Sequence, residues 1–353
     1  MGLNKGEWSE LYAIFHLLVN RKLKLIDCKF NILSENIFVV QSILTKRKNG
    51  EIKFEIKDNE IIPTVLGIRM TPIKTNDINI FKTKMFNSIS EGGNGSGSFD
   101  LKDVTNWLKE RGIQDKFKAL SRVKEDLFLF NLDTTRKTSV MLGYSVKSQL
   151  GSPATILNAS NHTNFKYQII GFKEKYIPII NKINTGTKLL DKIKSIEEYG
   201  GKIIFHSIES KIFTENLQMI DMLLPSALGE VLINSYRYNE KNLLSLFQTS
   251  TIYNNKALAE KKIKDFLMAI SFGMFPSKKW DGEYSANGGL IIVSIDSEVY
   301  IIDMVYFKQE LRSYLLNETK LDSPSSTRYN MLNLKSENGN VYFTLNLQVR
   351  YKN

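Results

Sequence analysis

Apolar and polar residues along positions 126–149 follow a pattern that predicts a β-hairpin. Residues 127–132 are almost entirely apolar, as expected of a buried strand. A polar turn at residues 133–137 leads into residues 138–149, where apolar side chains recur at every second position. We therefore expect two antiparallel strands at the centre of the fold.

The rest of the chain mixes predicted helices and strands. Apolar residues at three- and four-residue spacing predict an amphipathic helix over residues 5–19. Strands are predicted at 37–44 and 52–56, on either side of a basic turn. No regular β-α-β period is visible. The pattern predicts an α/β (α+β) fold, with a mixed β-sheet flanked by helices.

Later segments add predicted helices and strands. Long helices are expected at residues 181–199 and 213–236, and Met219, Met222 and Met268 are expected to pack in the core. Residues 341–351 are expected to form one strand of a C-terminal hairpin.

Net charge and cysteine content limit the binding partners and the metal sites that the chain can have. The 353 residues carry a net charge of +11, which favours a polyanion such as nucleic acid or an acidic membrane surface. A basic protein without such a partner is the alternative. The single cysteine, Cys28, excludes an internal disulfide and a cysteine-based zinc site. The N-terminal residues lack an apolar signal core and no run approaches about eighteen apolar residues, so we expect a cytoplasmic protein without membrane contact.

The open end of the predicted hairpin brings reactive groups together. In an antiparallel pair centred near Thr135, Asp126 lies opposite Tyr144 or Ser145. Lys147 shares one face of its strand with Ser145. A lysine on a buried strand costs several kcal/mol unless an anion pairs with it. A metal-bound carboxylate or a DNA phosphate would supply that anion.

Other acidic and polar residues compete for places in the same site. Asp133 is the rival aspartate, but it lies at the turn, on the order of 20 Å from the lysine end of the hairpin. Glu7 and Glu10 lie three residues apart near the start of the first helix, where acids also serve as caps. Glu10 is preferred because it lies one turn deeper. Gln149 shares the face of Lys147 and is a further candidate contact.

This set resembles the core of the metal-dependent PD-(D/E)XK nucleases. The resemblance implies Mg²⁺ held by Asp126 and Glu10, because Mg²⁺ requires hard oxygen ligands. It also implies that Lys147 stabilises developing charge or orients the attacking water. Ser145 departs from the pattern, since Asp or Glu is expected there, and either a helix glutamate or another acid must supply the missing charge.

Blocks at both ends and in the centre of the chain are similar to the HpaII-type restriction endonuclease family. The main blocks are Lys5–Leu11, Gly143–Ser148, Thr155–Ser160, Trp280–Gly282 and Leu345–Arg350. The resemblance implies a bacterial type II restriction endonuclease that makes Mg²⁺-dependent double-strand cuts in DNA at CCGG or a related short site. A palindromic site favours a homodimer on DNA, and a monomer that cuts the strands in succession is the alternative.

The resemblance also implies a division of the chain. Residues 1–20 and 120–353 would form the nuclease core with helical and C-terminal strand elaborations. Residues 21–119 would form an inserted or N-terminal DNA-contacting region that ends in a Gly/Ser-rich linker at 91–98.

Several side chains are candidate DNA contacts. The segment after Lys147 is rich in Ser, Thr and Asn, which bond phosphates and base edges but also build ordinary loops. Arginine and glutamine near the C-terminus can read bases in the major groove. The candidates are Asn158, Ser160, Thr163, Asn164, Arg328, Gln348 and Arg350.

Two other functions compete with DNA cleavage. A catalytically inactive, sequence-specific DNA-binding protein would explain the serine at position 145. A nucleotide-using enzyme is disfavoured, because the chain lacks both G-x-G-x-x-G after a strand and G-x-x-x-x-G-K-[ST]. We therefore expect no nucleotide cofactor.

Overall fold

The computed structural model describes residues 2–47, 50–91, 97–113 and 123–352. The chain forms two compact units. The first unit contains residues 1–154 and 284–314, and the second contains residues 155–283 and 315–353. Helices and strands mix in both, so the predicted mixed fold is confirmed.

The helices are α1 (Lys5–Asn20), α2 (Thr75–Glu91), α3 (Lys102–Glu110), α4 (Ile177–Lys182), α5 (Lys188–Glu198), α6 (Lys211–Ile220), α7 (Leu224–Arg237), α8 (Leu243–Gln248), α9 (Lys256–Phe272) and α10 (Lys308–Glu318). The strands are β1 (Lys24–Ile26), β2 (Ile32–Ser34), β3 (Phe38–Arg47), β4 (Gly50–Lys57), β5 (Glu60–Val65), β6 (Ile68–Arg69), β7 (Ile73–Lys74), β8 (Leu127–Asp133), β9 (Thr138–Ser148), β10 (Thr155–Leu157), β11 (Asn164–Ile170), β12 (Lys202–Ile208), β13 (Gly289–Val293), β14 (Val299–Asp303), β15 (Thr319–Leu321), β16 (Lys335–Glu337), β17 (Asn340–Asn346) and β18 (Val349–Tyr351).

One 11-stranded mixed sheet organises the first unit. Its order is β2-β1-β14-β13-β9-β8-β3-β4-β5-β6, and β7 pairs with β5. β1 runs parallel to β14 and β9 runs parallel to β13. The neighbours β8, β9 and β3 are antiparallel, which places the predicted hairpin at the middle of the sheet.

The predicted hairpin and its register are confirmed. Leu127 lies opposite Tyr144, and Asp133 lies opposite Thr138. The amide of Asp126 donates to the carbonyl of Tyr144 at 2.8 Å. Alternating burial along β8 explains this register, because a slip by one residue would move its apolar side chains to the other face.

Helix α1 packs against the sheet through a buried apolar side that includes Trp8, Leu11 and Phe15. The hydroxyl of Ser9 donates to the hydroxyl of Ser148 at 2.8 Å, which ties α1 to the end of β9. These contacts fix the rotation of α1 about its axis, so the direction of every side chain on its first turns is set.

The second unit contains two smaller sheets and helices α4 to α9. One sheet has the order β10-β18-β15 and the other β12-β11-β17-β16. Phe165, Tyr167 and Phe343 are buried on one side of the larger of these sheets. Within the described ranges, no helix is long and apolar enough to cross a membrane.

Three predicted elements were too long. The helix expected at 181–199 is interrupted between α4 and α5, around Gly186. The helix expected at 213–236 breaks before Pro225, which lies in the first turn of α7. The strand expected at 341–351 divides, because β17 pairs with β11 whereas β18 pairs with β10 and β15.

The expected core packing of two methionines was wrong. Met219 lies near the end of α6 and Met222 lies in the break after it, and they are 54% and 70% exposed. Met268, in α9, is buried as expected.

Two predicted segments lie mostly outside the described residues, and the predicted region 21–119 is part of the first unit. A helix expected at 115–123 lies outside the described residues except for Val123, as does most of the linker at 91–98. The first unit joins residues from 21–119 to the central hairpin in one sheet. The proposed DNA-contacting role of 21–119 stays a prediction.

Replacing Gly288 with alanine is expected to lower stability by about 1–3 kcal/mol. A Cβ atom at Gly288 would lie 2.5 Å from the ring of Tyr144, which is fully buried beside Ser145. Urea unfolding should show a lower midpoint for Gly288→Ala. Gly97→Ala is the control, because nothing lies within 4 Å of its added Cβ. Equal midpoints for the two variants would contradict the close packing of Tyr144.

Candidate active site

Asp126 is held in place at the open end of the hairpin by its neighbours on β9. Its Oδ2 accepts the backbone N–H of Val146 at 2.7 Å and faces the hydroxyl of Ser145 at 3.4 Å. Its carbonyl oxygen accepts the hydroxyl of Thr45 from β3 at 3.2 Å. Strand β9 therefore sets the direction of the carboxylate, and β3 holds the backbone of Asp126.

Lys147 points back along β9 toward the same carboxylate. Its Nζ donates to the hydroxyl of Ser145 at 2.9 Å and to the carbonyl of Val146 at 3.0 Å. Ser145 is 3% exposed and lies between the lysine and Asp126. The serine thus connects an acid and an ammonium group in a short hydrogen-bonded row.

Glu10 of α1 joins this row from the helix side. Burial raises the pKa of Glu10 to about 7, and the negative charge of Asp126 acts in the same direction. Arg47 and Lys147 oppose that rise through their positive charges. Glu10 therefore interacts electrostatically with both Asp126 and Lys147, and its carboxylate is bonded by Arg47 of β3.

The other acidic candidates have structural roles in the fold. Glu7 completes a capping box at the start of α1, because its Oε2 accepts the amide of Asn4 and its own amide donates to the Asn4 side chain, both at 3.0 Å. Asp133 accepts the amides of Thr135 and Arg136 at the hairpin turn. Neither is in the row formed by Asp126, Ser145 and Lys147.

Gln149 follows the last residue of β9 and is exposed. Its backbone N–H donates to the carbonyl of Val293 at 2.9 Å, which continues the pairing of β9 with β13. The side chain lies beside the end of the strand that carries Lys147, and its proposed polar contact stays a prediction.

Three residues near the site were missed by the sequence reasoning: Thr45, Arg47 and Lys124. Arg47 forms an ion pair with Glu10, with Nη1 and Oε2 2.5 Å apart. Burial lowers the pKa of Lys124 to about 8, and the charge of Lys147 acts in the same direction while Asp126 opposes it. In the sequence Arg47 is one cation of a basic turn, and only its contact with Glu10 of α1 reveals its position.

The predicted DNA contacts all lie in the second unit, in varied surroundings. Asn158 and Arg328 are exposed, and Gln348 is half-buried. Ser160 caps a short 3-10 helix by accepting the amide of His162. These positions are compatible with contact to a ligand at the surface.

The remaining three candidates are engaged by other residues. Thr163 is fully buried and its hydroxyl donates to Asn346, so it does not present that group at the surface. Asn164 also bonds Asn346, at 2.6 Å, and donates to Glu209. Arg350 pairs with Asp322 at 2.8 Å. The DNA contact expected of Thr163 stays a prediction.

The donor set fits a divalent cation of the hard type. Among the described residues there is no group of three or more Asp, Glu, His and Cys side chains that could hold a metal ion. Mg²⁺, however, is commonly bound by one or two carboxylates together with water and substrate phosphates. Glu10 and Asp126 supply two carboxylates, and their mutual repulsion is a reason for a cation to bind between them.

Comparison with known proteins identifies the class. A family model described as HpaII restriction endonuclease matches residues 4–351. The type II restriction enzyme HpaII of Haemophilus parainfluenzae is 35% identical over 360 residues, which cover 99% of this chain and 98% of that enzyme. No solved structure matches the chain. The chain is thus an enzyme of the restriction endonuclease class, a site-specific deoxyribonuclease.

Within that class, the chain belongs to the HpaII restriction endonuclease family. The resemblance inferred from the sequence blocks is confirmed. Enzymes of this kind bind DNA and generally use a divalent metal. The inactive DNA-binding protein and the nucleotide-using enzyme are not supported by this membership.

Proposed function

We propose that the enzyme makes Mg²⁺-dependent double-strand cuts at CCGG or a related short site, with Asp126, Glu10, Ser145 and Lys147 as its active site. The observation that carries the proposal is the convergence of these side chains at the open end of the β8–β9 hairpin. Both the sequence pattern and the geometry of the described residues support the same cluster.

Asp126 and Glu10 would hold the metal ion. Ser145 stands where the nuclease pattern has a second acid, and a hydroxyl adds no negative charge. Glu10 supplies that charge from α1. Bound Mg²⁺ would contribute Lewis acidity at the scissile phosphate and toward the attacking water.

Lys147 supplies a positive charge beside the carboxylates, linked to Asp126 through the hydroxyl of Ser145. A lysine ammonium has three N–H donors, and the bonds to Ser145 and Val146 use two of them. The third can be directed to a phosphate oxygen or to the attacking water. Charge that develops on the phosphate during the reaction is stabilised by such a fixed donor.

DNA binding draws on the basic surplus of the chain. A net charge of +11 favours phosphate contacts, and we propose Asn158, Arg328 and Gln348 as surface contacts of the second unit. A palindromic site would be read by a homodimer, whose two-fold symmetry matches that of the site.

The affinity of the enzyme for Mg²⁺ is expected to fall as the pH drops below about 7. The pKa of Glu10 is raised to about 7, so below that pH the carboxyl carries a proton that the metal must displace. Each further pH unit should weaken binding about tenfold. Calorimetric titration of the metal between pH 5.5 and 8.5 measures this, and Glu10→Gln is expected to flatten the dependence. A flat wild-type profile would remove Glu10 from the metal site.

A digest tests the proposed function directly. Purified enzyme would be incubated with unmethylated phage DNA in Mg²⁺ or in EDTA, and the fragment ends sequenced. We expect discrete fragments in Mg²⁺ alone, with ends at CCGG or a related short sequence. Random ends, or cutting in EDTA, would contradict the proposal. Discrete ends at an unrelated sequence would reject only the site.

A further inference from the structure

Strand β3 delivers two polar side chains to the active site. Thr45 and Arg47 are two residues apart, so they project from the same face of the strand. Both are buried, with exposed fractions of 0% and 4%. Thr45 bonds the carbonyl of Asp126, and Arg47 pairs with Glu10. One strand therefore contacts both carboxylate-bearing residues of the site.

The ion pair between Arg47 and Glu10 is shielded from water. The side chains are 2% and 12% exposed, respectively. Removing one partner of such a buried pair leaves an uncompensated charge, which is strongly unfavourable. Arg47 lies at the end of β3, where its backbone pairs with Gly50 of β4.

Each charged side chain of the proposed active site is held by a hydrogen bond to a different neighbour. Asp126 accepts the amide of Val146, and Lys147 donates to Ser145. Glu10 comes from a different element, α1, and its carboxylate is bonded by Arg47. Because Thr45 and Arg47 project from one face of β3, the bond from Arg47 holds the Glu10 carboxylate on the face where Thr45 bonds Asp126.

We propose that Arg47 is a positioning residue, which holds the Glu10 carboxylate beside Asp126 so that the two form a single divalent-cation site. This inference rests on the proposed metal-binding role of Glu10 and Asp126. Arginine suits the task because its guanidinium offers donors in a fixed planar fork and stays charged. A lysine at the same place keeps the charge and loses the fork.

The test uses the intact enzyme without DNA and measures Mn²⁺ binding by calorimetry. Arg47→Met removes the charge at similar side-chain length, and we expect it to bind Mn²⁺ about 10–100-fold more weakly. Arg47→Lys is expected to fall between Arg47→Met and the wild type. Arg69→Met, at an exposed arginine of β6, is the matched control for loss of one positive charge and should bind like the wild type.

The outcomes separate a positioning role from a purely structural one. Wild-type Mn²⁺ affinity in folded Arg47→Met would overturn the inference. If Arg47→Met does not fold, the test uses Arg47→Lys instead. Weaker Mn²⁺ binding by Arg47→Lys at an unchanged melting temperature supports the inference. Mn²⁺ binding equal to that of the wild type overturns it. In the double variant of Arg47→Met and Glu10→Gln, we expect little loss beyond that of Glu10→Gln, because the arginine acts through the glutamate.

A further variant distinguishes this inference from the proposed function. Asp126→Asn should strongly weaken Mn²⁺ binding if the proposed metal site is correct. Normal Mn²⁺ binding in Asp126→Asn would reject the metal site itself. Loss of binding in Asp126→Asn with normal binding in Arg47→Met would reject only the role of Arg47.

Discussion

Replacing Asp126 with asparagine is expected to lower the rate of DNA cleavage on the order of 10³-fold, because a metal ion contributes several kcal/mol to such a reaction. The substitution keeps the size of the side chain. The amide can still accept the N–H of Val146 through its oxygen, so the hairpin should persist. What is lost is the negative charge that attracts the cation.

Single-turnover cleavage at saturating enzyme measures this loss. Asp133→Asn is the matched control, because Asp133 lies at the other end of the same strand and bonds the turn and the hydroxyl of Tyr306. We expect Asp133→Asn to reduce stability and to keep the cleavage rate of the folded enzyme. Normal cleavage by Asp126→Asn, or a comparable loss in folded Asp133→Asn, would contradict the assignment.

Replacing Lys147 with alanine is expected to lower the cleavage rate by about 10²–10³-fold while DNA binding persists. The ammonium donates to the hydroxyl of Ser145, which bonds Asp126, and it is fixed by that bond and by a second one to the carbonyl of Val146. Binding should survive, because one phosphate contact is a small part of a salt-dependent electrostatic interaction.

Cleavage in Mg²⁺ and DNA binding in EDTA are measured on the same preparations. Lys137→Ala provides the control, since Lys137 is exposed at the turn of the same hairpin. It should cleave like the wild type. If Lys147→Ala loses binding and cleavage in parallel, the lysine serves affinity and not the reaction.

The hairpin could be predicted because its determinants are local. Alternation along residues 138–149 and the polar turn at 133–137 predict both strands and limit the residue opposite Asp126 to Tyr144 or Ser145, and the observed register selects Ser145. The same pattern places Asp126, Ser145 and Lys147 together at the open end of the hairpin. The local sequence is therefore sufficient to predict the part of the candidate site that lies on the hairpin.

The other half depends on contacts between distant elements. Glu7 and Glu10 look alike in the sequence, and the choice between them depends on the rotation of α1, which is set by packing and by the bond from Ser9 to Ser148. Arg47 resembles a solvated turn residue in the sequence, whereas in the fold it is buried and pairs with Glu10 of α1. Periodicity does not contain this information.

Pairing between distant segments also explains why a predicted strand is divided and why a predicted surface residue is buried. Residues 341–351 keep strand-like alternation, but they form two strands with different partners. The first, β17, pairs with β11, and the second, β18, pairs with β10. Thr163 looked like a surface hydroxyl, whereas its partner Asn346 lies 183 residues away in the chain. Such long-range partners decide burial, and burial decides which side chains can reach DNA.

A crystal structure of Lys147→Ala bound to a CCGG-containing duplex and Mn²⁺ tests the central claim most directly. The claim is that Asp126 and Glu10 together form the metal site of DNA cleavage. We predict an anomalous Mn²⁺ peak between these two carboxylates, with a DNA phosphate as a further ligand. A metal peak bound to other residues, or a scissile phosphate remote from the end of the β8–β9 hairpin, would contradict the account.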